Sequence, residues 1–300
     1  MKLYHDEITT PVRDAASIVL LRDKSDNLHS DGLQVFLMKR HGLSDVLGGA
    51  YVFPGGKVDE ADAQLDDDQH LDQSTSTLPA ALNEPELSPK QASALYVAAL
   101  RESFEESGVL FAAQATDKQI QAAAALHQTG IPFNQILQQL ALRLQTQNIL
   151  PWSRWITPKM SSVSHKRFDT RFFIAALPAN QTASSANHET TESIWLSPRE
   201  ALTSYWNKDI SLAPPQIMSL VHLARHTSVA SVMAQAAQSP VPLIEPQPYN
   251  MDGTRVICYP GDAQHPIPTR ALPGPTRLCY RNNRFEPVDG FEALFLDASA

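Results

Sequence analysis

One long helix with well-marked ends is the feature that most constrains this chain. Ser88 followed by Pro89 is typical of a helix N-cap with a first-turn proline, and Gly108 is typical of the residue just past a helix end. Between these ends, apolar residues recur at i, i+3 and i+7, namely Val97, Leu100 and Phe104. The pattern predicts a helix from about residue 88 to residue 107 that packs one stripe against a core.

Three carboxylates crowd the last turns of this helix. At about 100° per residue, Glu102 and Glu106 point away from Phe104 and Glu105 lies beside them, which predicts a shared, solvent-facing acidic surface. Like charges at i,i+4 cost an isolated helix about 0.2–0.5 kcal/mol. A divalent cation would reverse that sign, because hard cations such as Mg2+ take carboxylate and phosphate oxygens. The alternative is a solvated acidic face that Arg101 partly neutralises through Glu105.

Two glycines upstream favour the cation. Gly55 and Gly56 follow an alternating apolar stretch, residues 50–53, and glycine there permits positive φ or a close backbone approach to a ligand. An ordinary turn is the alternative. A phosphate-binding P-loop is excluded, because Gly56-Lys57 lacks both the earlier glycine and the following Ser or Thr.

Together, the two segments resemble the Nudix box, G-x5-E-x7-R-E-U-x-E-E-x-G-U, where U is apolar. Gly56 takes the first position, and the second half is matched by Arg101, Glu102, Glu105, Glu106, Gly108 and Val109. The chain departs from the pattern at three points. Asp62 fills the early acidic position, 38 residues instead of seven separate it from Arg101, and Ser103 occupies a place that is usually apolar.

The resemblance implies a Nudix α/β/α sandwich in which the box forms a loop–helix–loop that holds Mg2+ or Mn2+ against a diphosphate. Glu102, Glu105 and Glu106 would then be metal ligands or water-activating carboxylates. Gly55 and Gly56 would allow close backbone approach of the substrate, and Arg101 would orient a glutamate. Some superfamily members place a further base or ligand in a later loop, where this chain has Glu189 and Glu192; exposed loop acids are the alternative.

The substrate expectation rests on further resemblance. Arg40 and the spacing Gly49-x3-Phe53-Pro-Gly-Gly are similar to the signature of coenzyme A diphosphatases. The long insert and the segment from Arg167 to residue 173 resemble the branch that contains the mammalian peroxisomal coenzyme A diphosphatase. Arg167 and Arg171 would bind substrate phosphate or stabilise the acidic site, with ion pairing at a strand edge as the alternative. Other open substrates are ADP-ribose, NADH and dinucleotide polyphosphates, and a noncatalytic nucleotide-sensing module is a further alternative.

The composition of the chain limits the kinds of molecules that it is expected to bind. The chain has 300 residues, 43% of them hydrophobic, which is enough for a sizeable core. Its net charge of -8 disfavours nonspecific binding to nucleic acid or to an anionic membrane. No apolar run approaches a membrane span, the start lacks an apolar signal segment, and two cysteines are too few for a disulfide framework. We therefore expect a cytoplasmic enzyme with a small-molecule nucleotide substrate, and the sequence leaves a homodimer open.

The expected organisation is a Nudix domain over residues 1–240 followed by a Pro/Gly-rich extension over 241–300. Residues 63–89 form an insert that we expect at the surface, as loop or short helices. Residues 116–147 predict two helices broken near residues 130–132, which cover the box helix or form an oligomer contact.

Smaller elements complete the prediction. Strands are expected at 15–21, 34–38, 167–177 and 193–196, and helices at 198–202 and 215–226. His222 and His226 stand at i,i+4, a spacing that suits a metal, but without a third ligand they favour a structural or surface role. Cys258 and Cys279, which fall in two short candidate strands, predict buried or partly exposed thiols.

Overall fold

The computed structural model describes residues 7–24, 32–42, 47–160, 165–185 and 190–297. Its strands are β1 (Arg13–Asp23), β2 (Leu33–Arg40), β3 (Tyr51–Val52), β4 (Gly55–Lys57), β5 (Ile149–Ile156), β6 (Phe168–Ala176), β7 (Thr190–Leu196), β8 (Leu243–Ile244), β9 (Gln247–Met251), β10 (Thr254–Cys258), β11 (Arg277–Arg281) and β12 (Arg284–Glu286). Its α-helices are α1 (Asp67–His70), α2 (Leu78–Ala81), α3 (Pro89–Ser107), α4 (Asp117–Gln128), α5 (Phe133–Gln139), α6 (Pro198–Trp206), α7 (Pro214–Leu223) and α8 (Val229–Gln238). Short 3-10 turns occupy Glu60–Gln64, Thr75–Thr77, Thr146–Asn148 and Phe291–Leu294.

The central sheet is mixed. In the described part of the chain it contains eight strands, with the path β3-β2-β1-β6-β5-β8, while β4 pairs with β1 and β7 pairs with β2. The β1–β6 and β5–β8 pairs are parallel, and the remaining pairs are antiparallel. Parallel pairing of β1 with β6 requires a long crossover, and this crossover contains the insert and helices α1 to α5. The predicted mixed α/β architecture is confirmed.

The hairpin of β1 and β2 splays apart, and this opening positions the glycines. The two strands pair only at residues 21–23 with 33–35. Farther from the turn, β3 pairs with β2 and β4 pairs with β1, so residues 51–57 fill the gap between them. Gly55 and Gly56 consequently lie against Ser17 and Ala16 in the middle of the sheet.

Two hydrophobic cores flank the sheet. One contains Ile18, Leu20 and Phe173 and packs against α3, α5 and part of the insert. The other contains Val19 and Ile174 and packs against α6, α7 and the chain beyond residue 250. Because successive strand residues point to opposite faces, the near-continuous apolar run of β1 supplies both cores. The result is a helix–sheet–helix layering.

The insert is more buried than expected. Its leucines at positions 65, 71, 78 and 82 are all at most 2% exposed and belong to the core under α3. The prediction of short helices is confirmed by α1 and α2, but the prediction of a surface segment is wrong for these side chains. Many polar residues separate these leucines, so the sequence of the insert looks like a surface segment. The leucines become buried because they pack against α3.

The C-terminal extension folds as a four-stranded antiparallel sheet, in the order β12-β11-β10-β9. It shares the second core through Ile257, Leu278 and Phe285. The buried Tyr205 hydroxyl of α6 donates to the carbonyl of Phe285 at 2.9 Å and accepts from its N–H at 2.8 Å. The extension is thereby hydrogen-bonded to helix α6 in the preceding part of the chain.

Several smaller predictions are confirmed. Helices α4 and α5 flank residues 130–132, and β6, β7, α6 and α7 overlap the predicted strands and helices. Cys258 and Cys279 lie on β10 and β11 as buried free thiols. Among the described helices, each is too short or too polar to span a bilayer.

Candidate active site

Helix α3 begins and ends where local signals place it. The Ser88 side chain accepts from the Gln91 N–H while the Gln91 side chain accepts from the Ser88 N–H, a reciprocal capping box. Gly108 closes the helix with φ of 74°, and its N–H donates to the carbonyl of Phe104. These ends fix the register that brings the three glutamates to the gap filled by residues 51–57.

The glutamates do not lie on a solvent-facing surface. Glu106 is 5% exposed, and its Oε2 accepts a 2.8 Å hydrogen bond from the N–H of Gly55. The side chain of Glu102 is 13% exposed and that of Glu105 is 28% exposed. The expectation of a solvent-exposed acidic face is therefore wrong, because strand β4 passes directly over it. The predicted apolar stripe is buried, but the buried surface of α3 is wider than predicted, since every residue from Ala92 to Arg101 is buried.

The close approach of β4 requires both glycines. A Cβ at Gly56 would stand 2.4 Å from Oε1 of Glu102, and a Cβ at Gly55 would stand 2.7 Å from the carbonyl oxygen of Ala16. Neither residue needs positive φ. The glycines are therefore needed for contact with the acids and with strand β1, which is one of the two roles that their sequence position suggested.

Arg101 is the hub of the site. It is 8% exposed and donates from Nη1 to Glu102 at 2.8 Å and to Glu105 at 3.0 Å. Its Nη2 donates to the carbonyl of Lys57 at 3.0 Å. Burial by itself would lower the pKa of Arg101, but the hydrogen bond with Asp62 and the surrounding carboxylates raise it above its ordinary value. The predicted pairing with Glu105 is present, and it is one of several contacts.

Asp62, to which the sequence assigns no clear role, forms a buried ion pair in this site. It is 1% exposed, and its carboxylate receives two hydrogen bonds from Arg101, at 2.8 Å and 3.0 Å. Its Oδ2 also accepts from the N–H of Asp59. The insert leaves the site after Asp62 and returns at α3, so the enlarged spacing preserves the acid–arginine pair. The signal was present in the box spacing from Gly56, but the long insert obscured it.

The site disfavours the charged form of Glu102. Burial raises its pKa, Arg101 opposes that effect, and the nearby charges of Glu105 and Asp62 raise it further, to about 7. The single guanidinium of Arg101 thus leaves uncompensated charge among the carboxylates.

A hard divalent cation fits the donor chemistry of this site. The fold family implies such an ion, and the three glutamates provide only oxygen donors, as Mg2+ and Mn2+ prefer. Within the ranges that the structure describes, no group of three acidic or imidazole side chains already converges as a metal cage. Glu102 and Glu105 instead converge on Arg101.

The remaining predicted site residues have different surroundings. Arg40 ends β2, and its N–H donates to the carbonyl of Ala50 at 3.0 Å, so it lies at the entrance of the segment that contains the glycines. Arg167 donates from Nε to the carbonyl of Thr157. Glu189 lies outside the described residues.

Arg171 is committed to a buried ion-pair network. Its Nε and Nη2 donate to Glu84, at 2.9 Å and 2.6 Å, and its Nη1 pairs with Asp14 and Asp169. Arg154 joins the same network through Glu84 and Asp169. These contacts match the ion-pairing alternative for Arg171 and leave its guanidinium no direction free toward the acidic site.

The histidine pair is structural in its surroundings. His222 is 9% exposed and its ring lies 4.2 Å from that of Trp152, and burial lowers its pKa to about 4. Its Nε2 is 3.0 Å from Nε2 of Gln235.

Glu192, a candidate base or ligand from the later loop, lies on β7, where it accepts a hydrogen bond from Tyr51 and lies 3.7 Å from Lys39.

The fold and the site together define a Nudix protein. Residues 12–223 match the family model of the NUDT19 Nudix domain, and the chain therefore belongs to this family. Over 237 residues it is 27% identical to acyl-coenzyme A diphosphatase NUDT19 of Xenopus laevis, covering 65% of this chain and 61% of that protein. Over 275 residues it is 26% identical to putative nudix hydrolase 7 of Caenorhabditis elegans, covering 90% of this chain and 80% of that protein.

A solved structure shows the same fold. The NUDIX hydrolase from Alicyclobacillus acidocaldarius is 23% identical, with a TM-score of 0.60, and covers 77% of this chain and 100% of that one. The predicted Nudix sandwich with additional helices is thereby confirmed. The chain spans about three fifths of the length of the Xenopus relative.

Proposed function

We propose that the protein is a Mg2+- or Mn2+-dependent diphosphohydrolase that cleaves coenzyme A or acyl-coenzyme A. The products would be 3',5'-ADP and phosphopantetheine or its acyl form. The observation that carries the reaction class is the contact of Gly55 and Gly56 with Glu106 and Glu102, beside the buried Arg101. The substrate choice is supported by the Xenopus relative, which is named an acyl-coenzyme A diphosphatase.

The carboxylates would bind the cation and accept a proton from the attacking water. Glu102, Glu105 and Glu106 would be its ligands, and a bound Mg2+ or Mn2+ would neutralise diphosphate oxygens and lower the pKa of the attacking water. Glu105 or Glu106 would accept the proton of that water, with Glu189 as a further base. Water adds to one phosphorus while the bridging P–O bond breaks.

The surrounding residues would position the substrate. Without Cβ atoms, Gly55 and Gly56 let the diphosphate approach the acids. Arg101, fixed by Asp62, would hold Glu102 and Glu105 in register with the last turn of α3. Arg40 and Arg167 would bind substrate phosphate, a role in which guanidinium donors are common.

The proposal also covers the binding partner, the cellular compartment and the oligomeric state. The partner is a small nucleotide, with no nucleic acid. The two unpaired buried thiols fit a reducing compartment, and we place the enzyme in the cytoplasm on that basis. A homodimer would cover exposed helices such as α4.

The test is a substrate panel with product identification. Purified protein with Mg2+ or Mn2+ is incubated with coenzyme A, decanoyl-coenzyme A, ADP-ribose, NADH and diadenosine polyphosphate, and products are identified by mass. We expect 3',5'-ADP from the coenzyme A compounds, activity lost with a chelator, and at least a 100-fold fall in Glu106→Gln. Glu86→Gln, at a position whose side chain is 66% exposed and 4.0 Å from Arg154, is the matched control. Preference for another panel member would refute the substrate, and no metal-dependent turnover of any member would refute the reaction class.

A further inference from the structure

The walls of one cavity contain none of the three glutamates of the candidate site. It has a volume of about 730 Å3 and opens between β5, β8, α7, α8 and the C-terminal extension. Trp152 and Leu272 in its wall belong to the core on the face of the sheet opposite α3. Its volume falls within the roughly 300–1,000 Å3 of small-molecule sites. The proposed hydrolytic reaction makes no use of it.

The walls of this cavity are mostly hydrocarbon. Five prolines contribute to them, at positions 151, 240, 242, 260 and 273. Since proline has no N–H, these stretches offer few donors to a polar ligand. Leu243 and Ile267, which are 44% and 43% exposed, also line it, so an apolar occupant would remove two large side chains from water.

One end of the cavity is cationic. Arg270 donates from Nη2 to the carbonyl of Gly274, while its Nη1 lies 3.7 Å from Asp297, beyond hydrogen-bond distance. Arg225 pairs with the same carboxylate at 2.8 Å. Asp297 lines the cavity together with Arg270, whereas Arg225 lies outside the lining. Because Arg225 makes the closer pair with Asp297 and offsets its charge, the charge of Arg270 stays uncompensated among the described residues of this wall. The Arg270 side chain is 31% exposed, so that Nη1 can receive an anionic group.

Apart from Arg270 and Asp297, the polar side chains that line the cavity are uncharged. His222, stacked on Trp152, faces the side-chain amide of Gln235, and both line the cavity. The charge of the ligand must accordingly lie at Arg270 and not at the histidine. An elongated apolar body with a single anionic end satisfies both features.

We propose that this cavity binds an unbranched monocarboxylic acid, with its carboxylate on Arg270 and its alkyl chain along the proline walls toward Trp152. The site is separate from the hydrolytic one, and the proposal stands whether or not coenzyme A is the substrate.

Calorimetric titration of the intact protein with hexanoate, octanoate and decanoate tests the assignment. Each buried methylene is worth about 0.8 kcal/mol, so Kd falls about three- to fourfold per methylene until the cavity is filled. Decanoate binds more tightly than decanol because only the acid pairs with Arg270. Absence of saturable binding, or equal affinity for acid and alcohol, would overturn the proposal.

Two variants locate the bound acid. Arg270→Gln removes the preference for decanoate over decanol, and Leu243→Asp weakens decanoate binding at least tenfold. Val288→Asp, at a position that is 49% exposed and outside the cavity, leaves the affinity unchanged, and circular dichroism verifies that each variant is folded. Saturating coenzyme A leaves decanoate affinity unchanged as well. Competition by coenzyme A, or equal loss in Val288→Asp, would contradict a separate site.

Discussion

Replacing Asp62 by asparagine removes one charge from the acid–arginine pair and keeps the side-chain shape. Asp62 is 1% exposed and makes two hydrogen bonds to Arg101 below 3.1 Å. Loss of one partner from a buried pair costs about 3–5 kcal/mol. Because Glu102 and Glu105 still neutralise Arg101, we expect the lower end, about 3 kcal/mol. At about 2.1 cal/mol/K of unfolding entropy per residue, that corresponds to a Tm lower by about 5 °C for a chain of 300 residues.

Urea and thermal unfolding of Asp62→Asn measure this loss. Asp59→Asn is the matched control, because the Asp59 side chain is 42% exposed and its contact with Arg101 is long, at 3.9 Å. We expect this substitution to lower the free energy of unfolding by about 0.5 kcal/mol or less. Hydrolytic activity of Asp62→Asn should also fall, because Arg101 is no longer fixed against Glu102 and Glu105. If Asp62→Asn and Asp59→Asn have equal stability, the buried pair does not anchor Arg101 and the reasoning is refuted.

Three further substitutions or conditions test contacts of Gly56, His222 and Tyr205. In Gly56→Ala the added Cβ, 2.4 Å from Glu102, should displace β4 at a cost of about 1–3 kcal/mol and lower kcat/KM about 10- to 100-fold; an unchanged rate would exclude that contact as a requirement. His222 has its pKa lowered from 6.5 to about 4, so its stabilising effect is present above pH 6.5 and is lost as pH falls toward 4. Urea unfolding should show about 2 kcal/mol lost between pH 7 and pH 5, and His222→Gln should lose correspondingly less. Tyr205→Phe leaves both polar backbone groups of Phe285 without their partner and should cost about 1–3 kcal/mol in the same assay; an unchanged stability would contradict this role of the hydroxyl.

The candidate site was predictable where its determinants are local. Glu102, Glu105 and Glu106 were identified by their spacing, and the structure brings them next to Gly55 and Gly56 as a single cluster. The pairing of Arg101 with Glu105 was also visible from i,i+4 spacing. Asp62 was not assigned a role because 38 residues of unknown path separate it from Arg101. The partners of Arg171 were equally hidden, since Glu84 and Asp14 come from distant parts of the chain.

Local signals are sufficient to set the ends and register of helix α3, because Ser88 and Gly108 make cap hydrogen bonds within a few residues and Pro89 suits the first turn. The main strands are likewise visible locally, since their apolar runs follow the pleat. The depth at which the glutamates are buried, and the choice of the acid that faces Arg101, are not visible at this level. Those properties depend on strand β4 and the insert crossing over the helix, and such long-range packing is set by the whole fold and not by neighbouring residues.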